Sequence, residues 1–175
     1  AENYEKLIEA FGIFLKKNKQ KFGTIDLVII GKKGWLFESI LEAPRKFGLT
    51  GNVKFLDFVP DADLPAFYRS ALCFVLPSLY EGFGLPVLEA MAYKTPVVVS
   101  NVSSLPEIAG NAGVYVNPDD VQSIANGLLT AVRGRNLMQG RNRIQQGLTQ
   151  VKKFTWEHAA KQTLEILEQV GSSKL

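Results

Sequence analysis

The sequence is poor in the residues that build cross-links, metal centres and acid–base triads. Cys73 is its only cysteine, which excludes an internal disulfide. Its surroundings, Leu72-Cys73-Phe74-Val75-Leu76, are apolar, a setting in which a thiol serves as a small core residue. His158 is the only histidine, and no histidine–carboxylate–serine arrangement can be built around it. It falls in the first turn of the last expected helix and reads as structural or exposed. No apolar run approaches the roughly 20 residues that a membrane-spanning helix needs, and no signal peptide is recognisable. A cytoplasmic location is the expectation. Repeats and low-complexity tracts are absent. Neither sign of charge dominates: a net charge of +3 over 175 residues suits an anionic small ligand or loose contact with an acidic membrane surface, but reads first as an ordinary solvated surface, and no nucleic-acid partner is expected.

What is present is enough apolar sequence for one domain with a full core, at 46% hydrophobic and 21% charged residues. Asn3 is placed to cap a helix with its apolar face at Tyr4, Leu7, Ile8, Phe11, Phe14 and Leu15. Strand and helix then alternate. Strands are expected over 25–31, 53–59, 72–76, 96–100 and 113–116. Helices are expected from about Trp35 to Phe47, from Pro60-Asp61 to Ala71, over 85–93, from Asn117 as cap with Pro118 in the first position and Asp119 and Asp120 in the first turn, over 136–150, and after Thr155. Residues 1–170 read as one domain and 171–175 as a loose tail. Alternation of this kind implies an α/β fold, a parallel sheet with helices on both faces. Ligands bind such sheets beyond the carboxyl ends of the strands.

The richest segment lies at such an end. Ser78-Leu79-Tyr80-Glu81-Gly82-Phe83-Gly84-Leu85-Pro86-Val87-Leu88-Glu89 follows the apolar strand 72–76. Gly82 and Gly84 allow close backbone approach and positive φ. Pro86 suits the first turn of a helix. Free amides near Gly84 and Leu85, backed by the helix dipole, favour a phosphate. Glu89, one turn into the helix, leans back toward its start, and Glu81 approaches from the loop. Each carboxylate suits hydroxyl donors better than a second anion.

The same string closely resembles the signature of the retaining glycosyltransferases of family 4, also called group 1. Glu81 and Glu89 match the family's glutamate–seven residues–glutamate element. Around them stand Pro77-Ser78, Leu88-Glu89-Ala90-Met91-Ala92, Thr95-Pro96-Val97-Val98, Ser103-Ser104-Leu105-Pro106-Glu107 and Phe154-Thr155-Trp156-Glu157. The resemblance covers essentially the whole chain. It implies a Rossmann-like domain, the C-terminal, donor-binding half of a GT-B fold, facing an N-terminal acceptor-binding domain across a cleft. It further implies that Glu89 binds the ribose hydroxyls and that Glu81, the catalytic candidate, contacts the donor sugar. The amides of Phe83, Gly84 and Leu85, with Gly82 beside them, would lie by the distal phosphate and sugar. Backbone around Phe58 and Val59 would meet the base. The ligand implied is a nucleoside diphosphate sugar, with a GDP-sugar such as GDP-mannose favoured over UDP-sugars. No metal and no other cofactor is expected. Polysaccharide or glycolipid synthesis and peripheral membrane contact through the full-length protein complete the expectation.

The chain also departs from the family. The family has a strand and a basic loop before the first helix, whereas Glu2 stands about where that loop's lysine would be. The fold is therefore expected to lack its first strand, so that strands 25–30 and 72–76 either pair directly or leave a filled gap. Taken alone, the chain is expected to transfer no sugar. Lys94 stands where the family usually has glycine, which costs about 1 kcal/mol if φ there is positive.

Other features read less specifically. Asp61-Ala62-Asp63 imitates a metal motif of another glycosyltransferase fold but reads as helix capping. Lys32 and Lys33 of Gly31-Lys32-Lys33-Gly34-Trp35 read as a solvated turn. Glu107 is equally suited to the sugar side or to a helix cap, and Phe154 and Trp156 read as packing residues, whose partners the resemblance puts in the other domain, to which the family's last helix crosses back. A nucleotide or sugar-phosphate binding module without catalysis remains the alternative function. A dinucleotide-dependent oxidoreductase is disfavoured, because the third glycine of its motif would fall at Val87. A response-regulator-like signalling domain would need an acidic cluster at strand ends, which is not evident in this sequence.

Overall fold

The computed structural model describes residues 3–31 and 37–172. Lys32, Lys33, Gly34 and Trp35, like Glu2, lie outside the described residues. Helix α1 (Tyr4–Phe22) is followed by β1 (Leu27–Ile30), α2 (Phe37–Lys46), β2 (Val53–Leu56), α3 (Leu64–Ser70), β3 (Phe74–Leu76), α4 (Leu85–Ala92) and β4 (Val97–Ser100). Then come α5 (Leu105–Ala109), a 3₁₀ turn (Gly110–Ala112), β5 (Gly113–Val116), α6 (Val121–Gly134), α7 (Met138–Val151) and α8 (Trp156–Ser172). All strand pairs are parallel.

The strands form two sheets. β1 pairs with β2 in register Leu27↔Val53, and β3-β4-β5 form the second sheet, with Phe74↔Val97 and Val97↔Gly113. β1 and β3 do not pair, so of the two arrangements expected the direct one is excluded and the interruption is observed. Helix α1 spans the interruption on one face. Its Leu7, Ile8, Phe11 and Phe14 share one core with Leu27, Ile29 and Val53 of the first sheet and Val98, Val114 and Val116 of the second. Ile124, Ala125, Leu128 and Ala131 of α6 close the same core.

The opposite face of the second sheet carries a separate core. There Val97 and Val99 of β4 meet Val87, Leu88 and Met91 of α4 and Leu105 and Ile108 of α5. β4 thus sends successive side chains to two cores, as the two-residue period of a strand requires. This doubly covered strand fixes the height of the β3–α4 loop at the sheet's carboxyl edge.

Two expected helix starts differ from those observed, and at a third, α1, the start is as expected but the cap is not made. Asn3 stands before α1, but its side chain caps nothing there. Its amide instead donates to the carbonyls of Pro77 (3.1 Å) and Pro118 (2.7 Å), tying the chain start to the loops after β3 and β5. Residues 60–63 form a turn closed by the Asp63 amide on the Pro60 carbonyl, and α3 begins at Leu64 without a side-chain cap. The Asp61–Asp63 capping reading is therefore not met. Asn117 likewise closes a turn, accepting from the Asp119 amide at 2.9 Å, and Asp120 is the true cap of α6 through the Gln122 amide at 2.8 Å. Thr155 does cap α8, accepting from the His158 amide at 3.1 Å. Helix α8 buries none of its side chains, and Trp156, expected to pack, is 89% exposed and meets no packing partner among the described residues. His158 is exposed.

Candidate functional site

The β3–α4 loop is held by three serines. Ser78, buried beside β3, donates to Glu81 Oε1 at 2.8 Å and so orients that carboxylate. From the β4–α5 loop, Ser103 Oγ accepts the Glu81 amide at 3.0 Å and lies 3.0 Å from the Glu81 carbonyl oxygen. Ser104 Oγ reaches the carbonyls of Glu81 (3.0 Å) and Phe83 (2.8 Å). Ser103 reaches this position with φ at +54°, the left-handed region that L residues avoid.

The serines engage the loop's carbonyls and leave its next amides open. No hydrogen bond among the described residues uses the amides of Gly82, Phe83, Gly84 or Leu85. Gly84 is the N-cap of α4, with φ 111° and ψ 40°, and no side chain caps the helix. A Cβ on Gly84 would come within 3.0 Å of Leu105 Cδ2, so both conformation and space require glycine there. Gly82 differs from expectation: its φ is not positive, and an added Cβ would meet nothing within 4 Å. Pro86 lies in the first turn, as expected. Phe83 turns its ring away from the loop, edge-on to Phe154 at 5.8 Å.

Glu89 is exposed on α4, and its Oε2 accepts from the Tyr68 hydroxyl at 2.8 Å. The two glutamates therefore have different anchors, Glu81 the β4–α5 loop and Glu89 helix α3. Phe58 and Val59 sit past the end of β2, in the loop that leads into α3 and Tyr68; Phe58 is 67% exposed. Glu107 lies in the first turn of α5, and its backbone carbonyl accepts from Gln150 at 2.8 Å.

Lys94 has φ 63°, as its position suggested. Its amide bonds the Met91 carbonyl and that of Thr95 bonds Ala90, the paired hydrogen bonds that close a helix through a left-handed residue. Burial pushes the Cys73 thiol up to about 12, against the opposing charge of Arg135, so it stays protonated and serves as a packing group. Among the described residues no three His, Cys, Asp or Glu side chains gather as metal ligands.

Sequence reasoning missed Tyr68, and it knew Ser78, Ser103 and Ser104 only as parts of a string. Tyr68 lies 21 positions from Glu89, and Ser103 lies 22 from Glu81. Only Ser78, three residues before Glu81, offered a local signal.

Comparison with known proteins places this geometry. The C-terminal domain of the group 1 glycosyl transferase LpcC from Francisella tularensis aligns at TM-score 0.70 and 29% identity, over 87% of this chain and 78% of that one. Sucrose-phosphate synthase from Thermosynechococcus elongatus aligns at TM-score 0.75 and 25% identity, over 97% of this chain and 43% of that one. The fold is therefore the C-terminal half of a GT-B glycosyltransferase. The sequence profile described as "Glycosyl transferases group 1" matches residues 1–147. O-antigen chain mannosyltransferase B from Escherichia coli is 37% identical over 166 residues, 93% of this chain and 42% of that protein. The chain belongs to the group 1 glycosyltransferase family, and it spans less than half the length of that curated relative. Among the described residues no helix is long and apolar enough to cross a membrane.

Proposed function

We propose that this chain is the donor-binding half of a retaining glycosyltransferase. The enzyme moves a sugar from a nucleoside diphosphate to an acceptor hydroxyl in polysaccharide or glycolipid synthesis. The observation that carries the reading is the row of unbonded amides from Gly82 to Leu85 at the start of α4, flanked by two separately anchored carboxylates. A helix start with free amides stabilises phosphate oxygens. As the sugar leaves, charge accumulates on the diphosphate, and amides already in place stabilise it without reorganising.

In this reading Glu89 accepts hydrogen bonds from the ribose, and Glu81, oriented by Ser78, accepts from the donor sugar. The amides of Phe83, Gly84 and Leu85 face the distal phosphate, and the backbone around Phe58 and Val59 meets the base. The departing phosphate oxygen takes the acceptor's proton on the same face, so this domain needs no nucleophile. Mannose is the favoured sugar, supported by the similarity to an O-antigen chain mannosyltransferase. The acceptor is bound by another part of the enzyme.

Transfer from radiolabelled GDP-mannose by the full-length protein tests the reading. Glu81→Gln is expected to lower kcat by about 100-fold with KM little changed, since the lost contact acts mainly in the transition state. A wild-type enzyme that turns over no nucleotide sugar, or a Glu81→Gln enzyme at full rate, would overturn it.

A further inference from the structure

Tyr68 was singled out by no motif, yet it is the side chain most firmly directed at the site. Its hydroxyl donates to Glu89 Oε2 at 2.8 Å. Its ring stacks on Tyr93 at 5.9 Å with an interplanar angle of 12°, and meets Phe74 edge-on at 5.8 Å and 64°. Its carbonyl accepts from the buried Thr95 hydroxyl at 2.6 Å. Ring and backbone are both clamped, so the phenol cannot swing aside when a ligand arrives. Burial, and then the Glu89 carboxylate, hold the phenol above its ordinary pKa, so it remains a donor across the physiological range.

The hydrogen-bond inventory of the pair is specific. An ionised carboxylate only accepts, and it has about four lone-pair sites. Tyr68 occupies one on Oε2 and fixes the plane of the group. Oε1 of this exposed residue takes no hydrogen bond among the described residues, and the phenolic oxygen keeps an acceptor site of its own. Two adjacent acceptors held at fixed spacing match a vicinal diol, each of whose hydroxyls donates one hydrogen. A lone carboxylate on an exposed helix would hold the same diol in many rotamers. The clamped pair holds it in one, which is where preorganised binding gains its selectivity.

We propose that Tyr68 is a positioning residue of the donor site, fixing Glu89 so that the pair reads the vicinal hydroxyls of a ribonucleotide and rejects the 2′-deoxy form. This rests on the donor-binding reading above. Tyr68 also joins two parts of the site, since α3 follows directly from the loop of Phe58 and Val59. The ribose contact on α4 is thereby kept in register with the segment assigned to the base.

The test is calorimetric titration of the full-length protein with GDP and 2′-deoxy-GDP, and with 3′-deoxy-GDP as a second analogue, for wild type, Tyr68→Phe and Glu89→Gln. Wild type is expected to favour GDP by about 10–100-fold, the range of one or two hydrogen bonds to a charged group. Tyr68→Phe keeps the ring stack and should reduce the preference to about threefold or less, leaving deoxy binding unchanged. Because the ratio is taken within one variant, a general loss of stability cancels out of it. If Tyr68→Phe keeps the wild-type ratio while Glu89→Gln loses it, the role of Tyr68 is wrong and the donor reading stands. If wild type binds none of the three nucleotides, or Glu89→Gln changes neither affinity nor ratio, the donor reading fails and this inference fails with it.

Discussion

Val98 and Val28 are the same residue near the middle of parallel strands in one chain, yet their surroundings differ. Val98 is fully buried in β4, with β3 on one side, β5 on the other and a core on each face. Val28 is 42% exposed in β1, which pairs only with β2 and packs toward α1 and α2 through Leu27 and Ile29. Both strands are short and rich in Val and Ile, and by local pattern they are equivalent. A strand's identity is thus a property of its own sequence, whereas its burial belongs to its neighbours. The candidate site hangs from the doubly covered sheet, at the ends of β3 and β4, so the stiffer region is the one that must hold a ligand in fixed geometry.

The largest effect expected from this contrast is a difference between paired truncations. Val98→Ala removes two buried methyl groups between closed cores and should cost about 2–3 kcal/mol, transfer and cavity terms together. Val28→Ala should cost less than about 1 kcal/mol, since much of that side chain already meets water. Urea unfolding of both variants measures the gap directly. Equal costs would mean that β1 is covered in solution as fully as β4, and the comparison would collapse.

The same contrast separates what could be read in the sequence from what could not. The α4 start was legible because its parts are local: Gly84, Pro86 and Glu89 fall within one loop and one helical turn. The failure to pair β1 with β3 was foreseen as one of two outcomes, because it concerns the order of elements. The helix starts at residues 60 and 117 were misplaced for a common reason. Proline with aspartate opens a turn as readily as a helix, and Asn117 used its side chain to close the turn, leaving Asp120 to cap α6. Tyr68, Ser103 and Ser104 were not legible, since each acts on a residue some twenty positions away across neighbouring elements. Long-range polar contacts of this kind have no period and no spacing to find.

A middle-sized effect belongs to Ser103, at the carboxyl edge of the covered sheet. Ser103→Ala loses the hydrogen bonds to the Glu81 backbone but keeps the φ of +54°, and should cost about 1–2 kcal/mol. Ser103→Gly loses the same bonds while relieving the backbone, and should cost less than Ser103→Ala by about 1 kcal/mol. The order of their thermal midpoints checks the assignment. If alanine were the milder change, the left-handed φ would not be the strained feature inferred from it, and the rigidity credited to this end of the sheet would need another source.

The smallest effect has the opposite sign and tests whether even the well-covered region is optimised. Lys94 is exposed, closes α4 in a left-handed conformation and leads directly into Pro96 and β4. Its side chain makes no hydrogen bond or ion pair among the described residues, so replacing it removes no contact. Lys94→Gly should therefore raise stability by about 0.5–1 kcal/mol, the relief of φ being partly offset by glycine's greater freedom in the unfolded chain. Lys94→Ala, which keeps the strain, should change little. An increase in the denaturation midpoint for glycine alone would locate the strain in the backbone. Equal increases for both variants would locate it in the lysine side chain, and the helix closure would then owe nothing to φ at this position.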